Sequence, residues 1–209
     1  MFVVTYGRSG STLLQGILNS TPGWLLRGEN GGAVYHLHRH FAEITGRPQS
    51  RRRETPFPVT DAWFGLDRYP RRLAVADLRR LVVDTLLRPE PETRVSGFKE
   101  IRWDQPDLAD YLRFLQRLFP GARFVFNTRN HADVARSKWW AQAADPLAEL
   151  ARVEAHQAAA VAELGDEAYR VHFDDYVRDP SVLRGLFAWL GEEYDEERVR
   201  SVLAVQHSY

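Results

Sequence analysis

The residues best equipped for chemistry lie near the start of the chain. Arg8, Ser9, Gly10, Ser11 and Thr12 follow an apolar run from Phe2 to Tyr6 and lead into a helical pattern from Thr12 to Asn19. Gly7 and Gly10 allow backbone angles that a side chain would forbid, so successive N–H groups can converge on one oxyanion. Ser11 and Thr12 add hydroxyl donors at the helix end where amides are unpaired and the dipole is positive. A nucleoside-triphosphate loop reads G-x-x-x-x-G-K-[ST]; this chain has Gly10-Ser11-Thr12 without the lysine, and Thr5 stands where the first glycine belongs. Arg8 supplies a cation instead, one that keeps its charge and can fork onto two oxygens.

A second strand-loop-helix pattern runs from Phe124 to Ser137. Arg129 leaves the end of an apolar run, Arg123 to Asn127, and Ser137 stands eight positions further on, in a helix predicted from His131 to Gln142. The two can address one anion as a bidentate cation and a neutral donor. The bland alternatives are a surface pair of Arg129 with Asp133 and a solvent-facing Ser137. Lys99 ends a further run, Arg94 to Phe98, where sites form in parallel sheets; its alternative is a pair with Glu100 or another edge carboxylate. Arg102 can touch a phosphate or acceptor, or pair with Asp104.

Arg27-Gly28-Glu29-Asn30-Gly31-Gly32 follows the run Trp24 to Arg27 and should open beside the first loop. Glu29 is a candidate general base, with an N-cap role for Glu29 or Asn30 as the alternative. His36, His38 and His40 compete for the base, but their spacing cannot place all three on one helical face, so no metal triad is expected. Trp139 and Trp140 can stack on a base or, more ordinarily, pack in the core or a lid.

The elements that must position these groups alternate along the chain. Strands are expected at Phe2 to Tyr6, Trp24 to Arg27, Arg94 to Phe98, Arg123 to Asn127 and Tyr169 to Phe173. Between and after them, helices are expected at Thr12 to Asn19, Gly32 to Thr45, Val75 to Leu87, Asp107 to Phe119, His131 to Gln142, Pro146 to Leu164, Pro180 to Leu190 and Glu196 to Val205. Such alternation means crossover connections, a mainly parallel sheet and ligands at the carboxyl ends of the strands. Residues 46–72 break the pattern with four prolines, Arg51-Arg52-Arg53 and the aromatics Phe57, Trp63, Phe64 and Tyr69; they form an irregular insert, or a lid.

The 209 residues suffice for one domain. Lys plus Arg and Asp plus Glu each number 28, which argues against a nucleic-acid or polybasic membrane partner and makes any anion binding local. The chain has no cysteine, which excludes disulfides, thiolate ligands and a thiol nucleophile. No apolar stretch reaches bilayer-spanning length and no basic n-region opens the chain, so a cytoplasmic protein without membrane partners is expected.

Taken together, Arg8-Ser9-Gly10-Ser11-Thr12 and the pair Arg129 and Ser137 resemble the sulfotransferase family, whose donor is 3'-phosphoadenosine 5'-phosphosulfate (PAPS). In that family an R-S-G-[ST]-T turn holds the 5'-phosphosulfate, and an Arg at a strand end with a Ser eight residues on holds the 3'-phosphate. The strand and helix from Val171 to Gly191 look like the family's closing segment. The resemblance implies a single three-layer α/β domain over 1–209, P-loop-containing nucleotide-hydrolase-like, with PAPS as donor, adenosine 3',5'-bisphosphate (PAP) as product and no metal requirement.

In-line transfer to a hydroxyl needs a base and cations at the leaving phosphate. Lys99 is the leading candidate for that cation and shares the task with Arg8. Glu29 resembles the glutamate that tyrosylprotein sulfotransferases carry at nearly this distance after R-S-G-T-T. A one-residue shift of register would put Asn30 in its place, and a histidine base stays open. The acceptor is a hydroxyl of a small molecule, glycan or peptide, and a homodimer is not excluded. A small-molecule or nucleotide kinase and a non-catalytic nucleotide-binding protein are the alternative readings, the first weakened by the missing loop lysine.

Overall fold

The structure, a computed structural model, describes residues 1–205. Alternation inside the apolar runs decides how each strand lies. In β1 (Phe2–Val4), Phe2 and Val4 join one apolar layer and Val3 the other; in β4 (Phe124–Thr128), Phe124 and Phe126 divide from Val125 in the same way. A strand buried on both faces needs a helical layer on each side. With β2 (Trp24–Arg27), β3 (Val95–Glu100) and β5 (Ala168–His172) these strands form a five-stranded sheet of order β2-β3-β1-β4-β5, parallel at every pairing. The chain turns to one side of β1 for β2 and β3, then crosses to the other for β4 and β5, so the switch in direction falls at β1.

The helices are α1 (Ser11–Asn19), α2 (Ala33–Thr45), α3 (Arg71–Val82, continued by a π-helical turn Val83–Leu87), α4 (Leu108–Leu118), α5 (His131–Ala135), α6 (Pro146–Ala162), α7 (Phe173–Arg178), α8 (Arg184–Leu190) and α9 (Glu196–Leu203). Apolar faces of α2, α3, α4 and α6 cover one side of the sheet, and those of α1, α7, α8 and α9 cover the other. The result is a single three-layer α/β domain with a central parallel sheet. No helix among the described residues is long and apolar enough to cross a membrane.

Three expectations from the sequence need correction. The helix expected from His131 to Gln142 is broken: α5 ends at Ala135, Ser137 is extended, and a 3-10 helix follows at Lys138–Gln142. Tertiary anchors described below pull Ser137 and Trp140 toward the first loop, and this overrides local periodicity. Phe173, read as the end of a strand, starts α7 instead. β1 stops at Val4 because Thr5 and Tyr6 turn their hydroxyls to partners across the sheet edge.

The insert folds against the C-terminal end of α2. Arg71 donates to Thr45 O at 3.0 Å and Ser50 Oγ at 2.8 Å, and the Arg47 guanidinium lies 5.4 Å from the centre of the Trp63 ring. α2 and α4 run side by side in the same direction, as the pairs Tyr35 with Asp107, His38 with Tyr111 and Phe41 with Phe114 show. The 13 residues of α2, about 20 Å long by helical rise, therefore separate the start of the insert from the carboxyl edge of the sheet.

Candidate active site

Four carbonyls of the first loop are tied by side chains from other elements. Thr5 O accepts from Gln157 Nε2 at 3.1 Å, Gly7 O from Trp140 Nε1 at 3.0 Å, Arg8 O from Arg129 Nη1 at 3.1 Å and Ser9 O from Asn127 Nδ2 at 3.0 Å. In a planar trans peptide the N–H points opposite to the C=O, so the amides of Arg8, Ser9 and Gly10 turn away from these partners. Among the described residues, none of the amides from Arg8 to Thr12 donates to a protein acceptor, and α1 has no side-chain cap at Gly10. The amides of a helix start and the turn before it are thus left without protein acceptors, as an oxyanion site requires.

The backbone that achieves this differs from expectation at one glycine. Gly10 has φ 77°, and a Cβ there would lie 2.0 Å from a Phe173 ring carbon. Gly7 is instead needed for room: its Cβ would stand 2.4 Å from the Trp139 ring. The second left-handed residue is Arg8, with φ 70°, a conformation that costs roughly 1–2 kcal/mol for a residue with a Cβ. Its carbonyl bond to Arg129 and its side-chain bond, Nε to Ser137 Oγ at 2.7 Å, hold it there.

Arg8, Arg129 and Ser137 thus come together, although Ser137 does so from an extended residue. The Arg129 guanidinium stacks 4.4 Å from the Phe173 ring centre, and its Nε is buried without a hydrogen-bond partner among the described residues. Its own backbone N–H donates to Tyr6 Oη at 2.9 Å, and Tyr6 donates to Glu154 Oε2 at 2.7 Å. Burial first, then that carboxylate, push the Tyr6 phenol far above its ordinary pKa, so it stays a neutral donor. Asp133 pairs with Arg136 and not with Arg129. Ser9 is fully buried and its hydroxyl meets Thr5 Oγ1 at 2.6 Å, so its side chain braces the loop. Ser11 is buried and Thr12 exposed at the start of α1.

One strand away, Lys99 is the register partner of Val3 and only 4% exposed. Its Nζ lies 2.6 Å from Glu29 Oε1, whose side chain is 46% exposed. Lys99 therefore pairs across the mouth with the candidate base and not with Glu100. Glu100, 2% exposed, uses Oε2 to accept from the amides of Asn30 and Gly32, each at 3.0 Å, and Oε1 to accept from Ile101 at 2.7 Å and Arg102 at 3.2 Å. Glu29 caps nothing: α2 starts from Gly32 without a side-chain cap. Both polar atoms of the Asn30 side chain are buried without a partner among the described residues. Arg102 is exposed, and its pairing with Asp104 is absent among the described residues.

The three histidines differ in their surroundings. His36 and His40 are exposed, whereas His38 is buried with Nε2 3.1 Å from Asp107 Oδ2. Burial alone would raise the Asp107 carboxyl, but hydrogen bonds from Tyr35, Arg39 and His38 outweigh it and hold the group below its ordinary range. No group of three His, Asp or Glu among the described residues is placed to hold a metal.

Sequence reasoning passed over Thr5, Tyr6, Asn127, Gln157 and Glu100. A signal was present for two of them: Thr5 and Asn127 are polar residues closing apolar runs, and buried polar groups in such places need partners.

The fold has counterparts among known proteins. A family model described as Sulfotransferase family matches residues 1–196. No curated protein sequence matches the chain. Among solved structures, the sulfotransferase domain from the Synechococcus PCC 7002 olefin synthase superposes with a TM-score of 0.54 at 18% identity, covering 98% of this chain and 77% of that one. A sulfotransferase from Alicyclobacillus acidocaldarius gives 0.53 at 15% identity, covering 96% of this chain and 88% of that one. At such identities these two structures speak for the fold.

Proposed function

The chain belongs to the Sulfotransferase family, and on that premise we propose that it moves a sulfuryl group from PAPS to a hydroxyl of a small molecule, glycan or peptide. The donor, when bound, supplies an activated sulfuryl group on a phosphate leaving group. The amides from Arg8 to Thr12, with the Ser11 and Thr12 hydroxyls, would hold its 5'-phosphosulfate end. Arg129, with its unpartnered Nε, and Ser137 would hold the 3'-phosphate.

In the transfer a bond forms between acceptor oxygen and sulfur while the bond from sulfur to the bridging phosphate oxygen breaks. The acceptor proton goes to Glu29, and Lys99 and Arg8 offset the charge left on the phosphate. Lys99 must therefore exchange part of its bond with Glu29 for the leaving oxygen. That exchange is short, because one ammonium carries three donors.

The observation that supports this reading best is the meeting of three strand ends. β1 brings the open amides, β4 brings Arg129 with a spare donor, and β3 brings Lys99 against Glu29 at 2.6 Å. Calorimetry should detect PAP binding without added metal, and preference for ATP with magnesium would favour a kinase instead. Glu29→Gln should keep PAP affinity within about 2-fold and slow transfer by roughly 10²–10⁴, read by mass spectrometry of sulfated products from a panel of hydroxyl acceptors. Unchanged turnover would remove Glu29 as base.

A further inference from the structure

We propose that Glu100 is the positioning residue of this site, an inference that rests on Glu29 and Lys99 acting as base and cation. Glu29 stands on a loop with glycines at 28, 31 and 32, a composition that leaves the backbone free to wander. Its own side chain is half-exposed and, among the described residues, bound only to Lys99. Nothing in such a segment would fix a base to the accuracy that transfer needs, since a misplacement of about 1 Å can cost two orders of magnitude in rate.

The fixing comes from one buried carboxylate. Glu100 Oε2 holds the amides of Asn30 and Gly32, immediately after the base; Oε1 holds those of Ile101 and Arg102, immediately after the strand end that carries Lys99. A carboxylate is acceptor-only and has about four lone-pair sites, so four N–H donors match its full capacity. The same four bonds are what make its burial tolerable. Because Lys99 and Glu100 are neighbours on β3, their side chains leave opposite faces of the strand. Lys99 points to the base while Glu100 holds, from the other face, the loop that carries it.

The isosteric change Glu100→Gln tests this. The new NH₂ would face two N–H donors head-on, so one of the two loop ends must let go. Turnover should fall about 10-fold to 100-fold while PAP affinity changes less than about 3-fold, a split that general destabilisation would not give. Because Glu100 acts through Glu29, the double variant Glu29→Gln with Glu100→Gln should be no slower than Glu29→Gln alone. Normal turnover in Glu100→Gln, or additive losses in the double variant, would overturn the proposal, provided Glu29→Gln is itself slow. A fast Glu29→Gln would instead sink the reading of the active site.

Hydrogen exchange on the wild-type protein gives an arm independent of activity and of the variant's folding. Amides of Asn30 and Gly32 should be protected while those of Glu29 and Gly31 exchange freely. Uniform exchange across the four would overturn the clamp.

Discussion

The surroundings of the loop at 7–12 and the insert after α2 each hold an arginine against an aromatic ring, Arg129 on Phe173 and Arg53 on Phe57, but the settings differ. Arg8 and Arg129 are braced by Ser137, by Phe173 and by a backbone that buried Thr5, Asn127, Trp140 and Gln157 hold from behind. Arg51, Arg52 and Arg53 are exposed; of their contacts the structure gives Arg53 Nε to Thr55 O at 3.4 Å and its guanidinium 4.5 Å from the Phe57 ring centre. Ordering a free arginine costs roughly 2 kcal/mol of rotamer entropy before any anion is bound. In the first region the fold has already met that cost; in the second a ligand would have to. Charge alone does not preorganise a region; the packing around it does.

That contrast can be broken most severely at Gly10. In Gly10→Ala the left-handed angle and the overlap with Phe173 act together, so PAP affinity should fall at least about 100-fold, with a lowered Tm, by calorimetry and thermal melting. An alanine variant that binds normally would mean the loop is not rigid. Arg129→Ala is expected to weaken PAP about 10-fold to 100-fold, the worth of a charged hydrogen bond of about 1.5–3 kcal/mol, and adenosine 5'-phosphosulfate less than about 3-fold. Equal losses for the two ligands would place Arg129 away from the 3'-phosphate. The smallest effect is expected from replacing Arg51, Arg52 and Arg53 together by glutamine: less than about 2-fold on PAP and within about 0.5 kcal/mol on stability. A tenfold loss there would show that the insert reaches the donor after all.

Much of the scaffold was legible because its signals are short-range. Trp24 to Arg27 is a strand with the boundaries its apolar run suggests, and Leu26 and Trp24 alternate with partly exposed Leu25 and Arg27 as a period of two requires. The helix expected over 131–142 is broken because an apolar pattern says nothing of a distant carbonyl. Trp140 is drawn to Gly7 O and Ser137 to Arg8, and the backbone between them leaves the helix to satisfy both. Gly7 is needed for room and not for a left-handed angle, because its neighbour Trp139 comes from far away in sequence.

The order of apolar runs, the glycine turn with its Arg, Ser and Thr, and the spacing of Arg129 and Ser137 are local properties of the chain. They suffice to determine the α/β class and the parallel sheet, and to predict an anion cradle, because periodicity, turn chemistry and crossover handedness depend on neighbours in sequence. Which carboxylate meets Lys99 was decided only in three dimensions. Glu100 is adjacent in sequence, yet strand pleating sends it to the opposite face, while Glu29 arrives from β2, the next strand over. The clamp at Glu100 and the brace behind the loop arise in the same way: a buried polar group takes whatever partner the packed fold brings within reach.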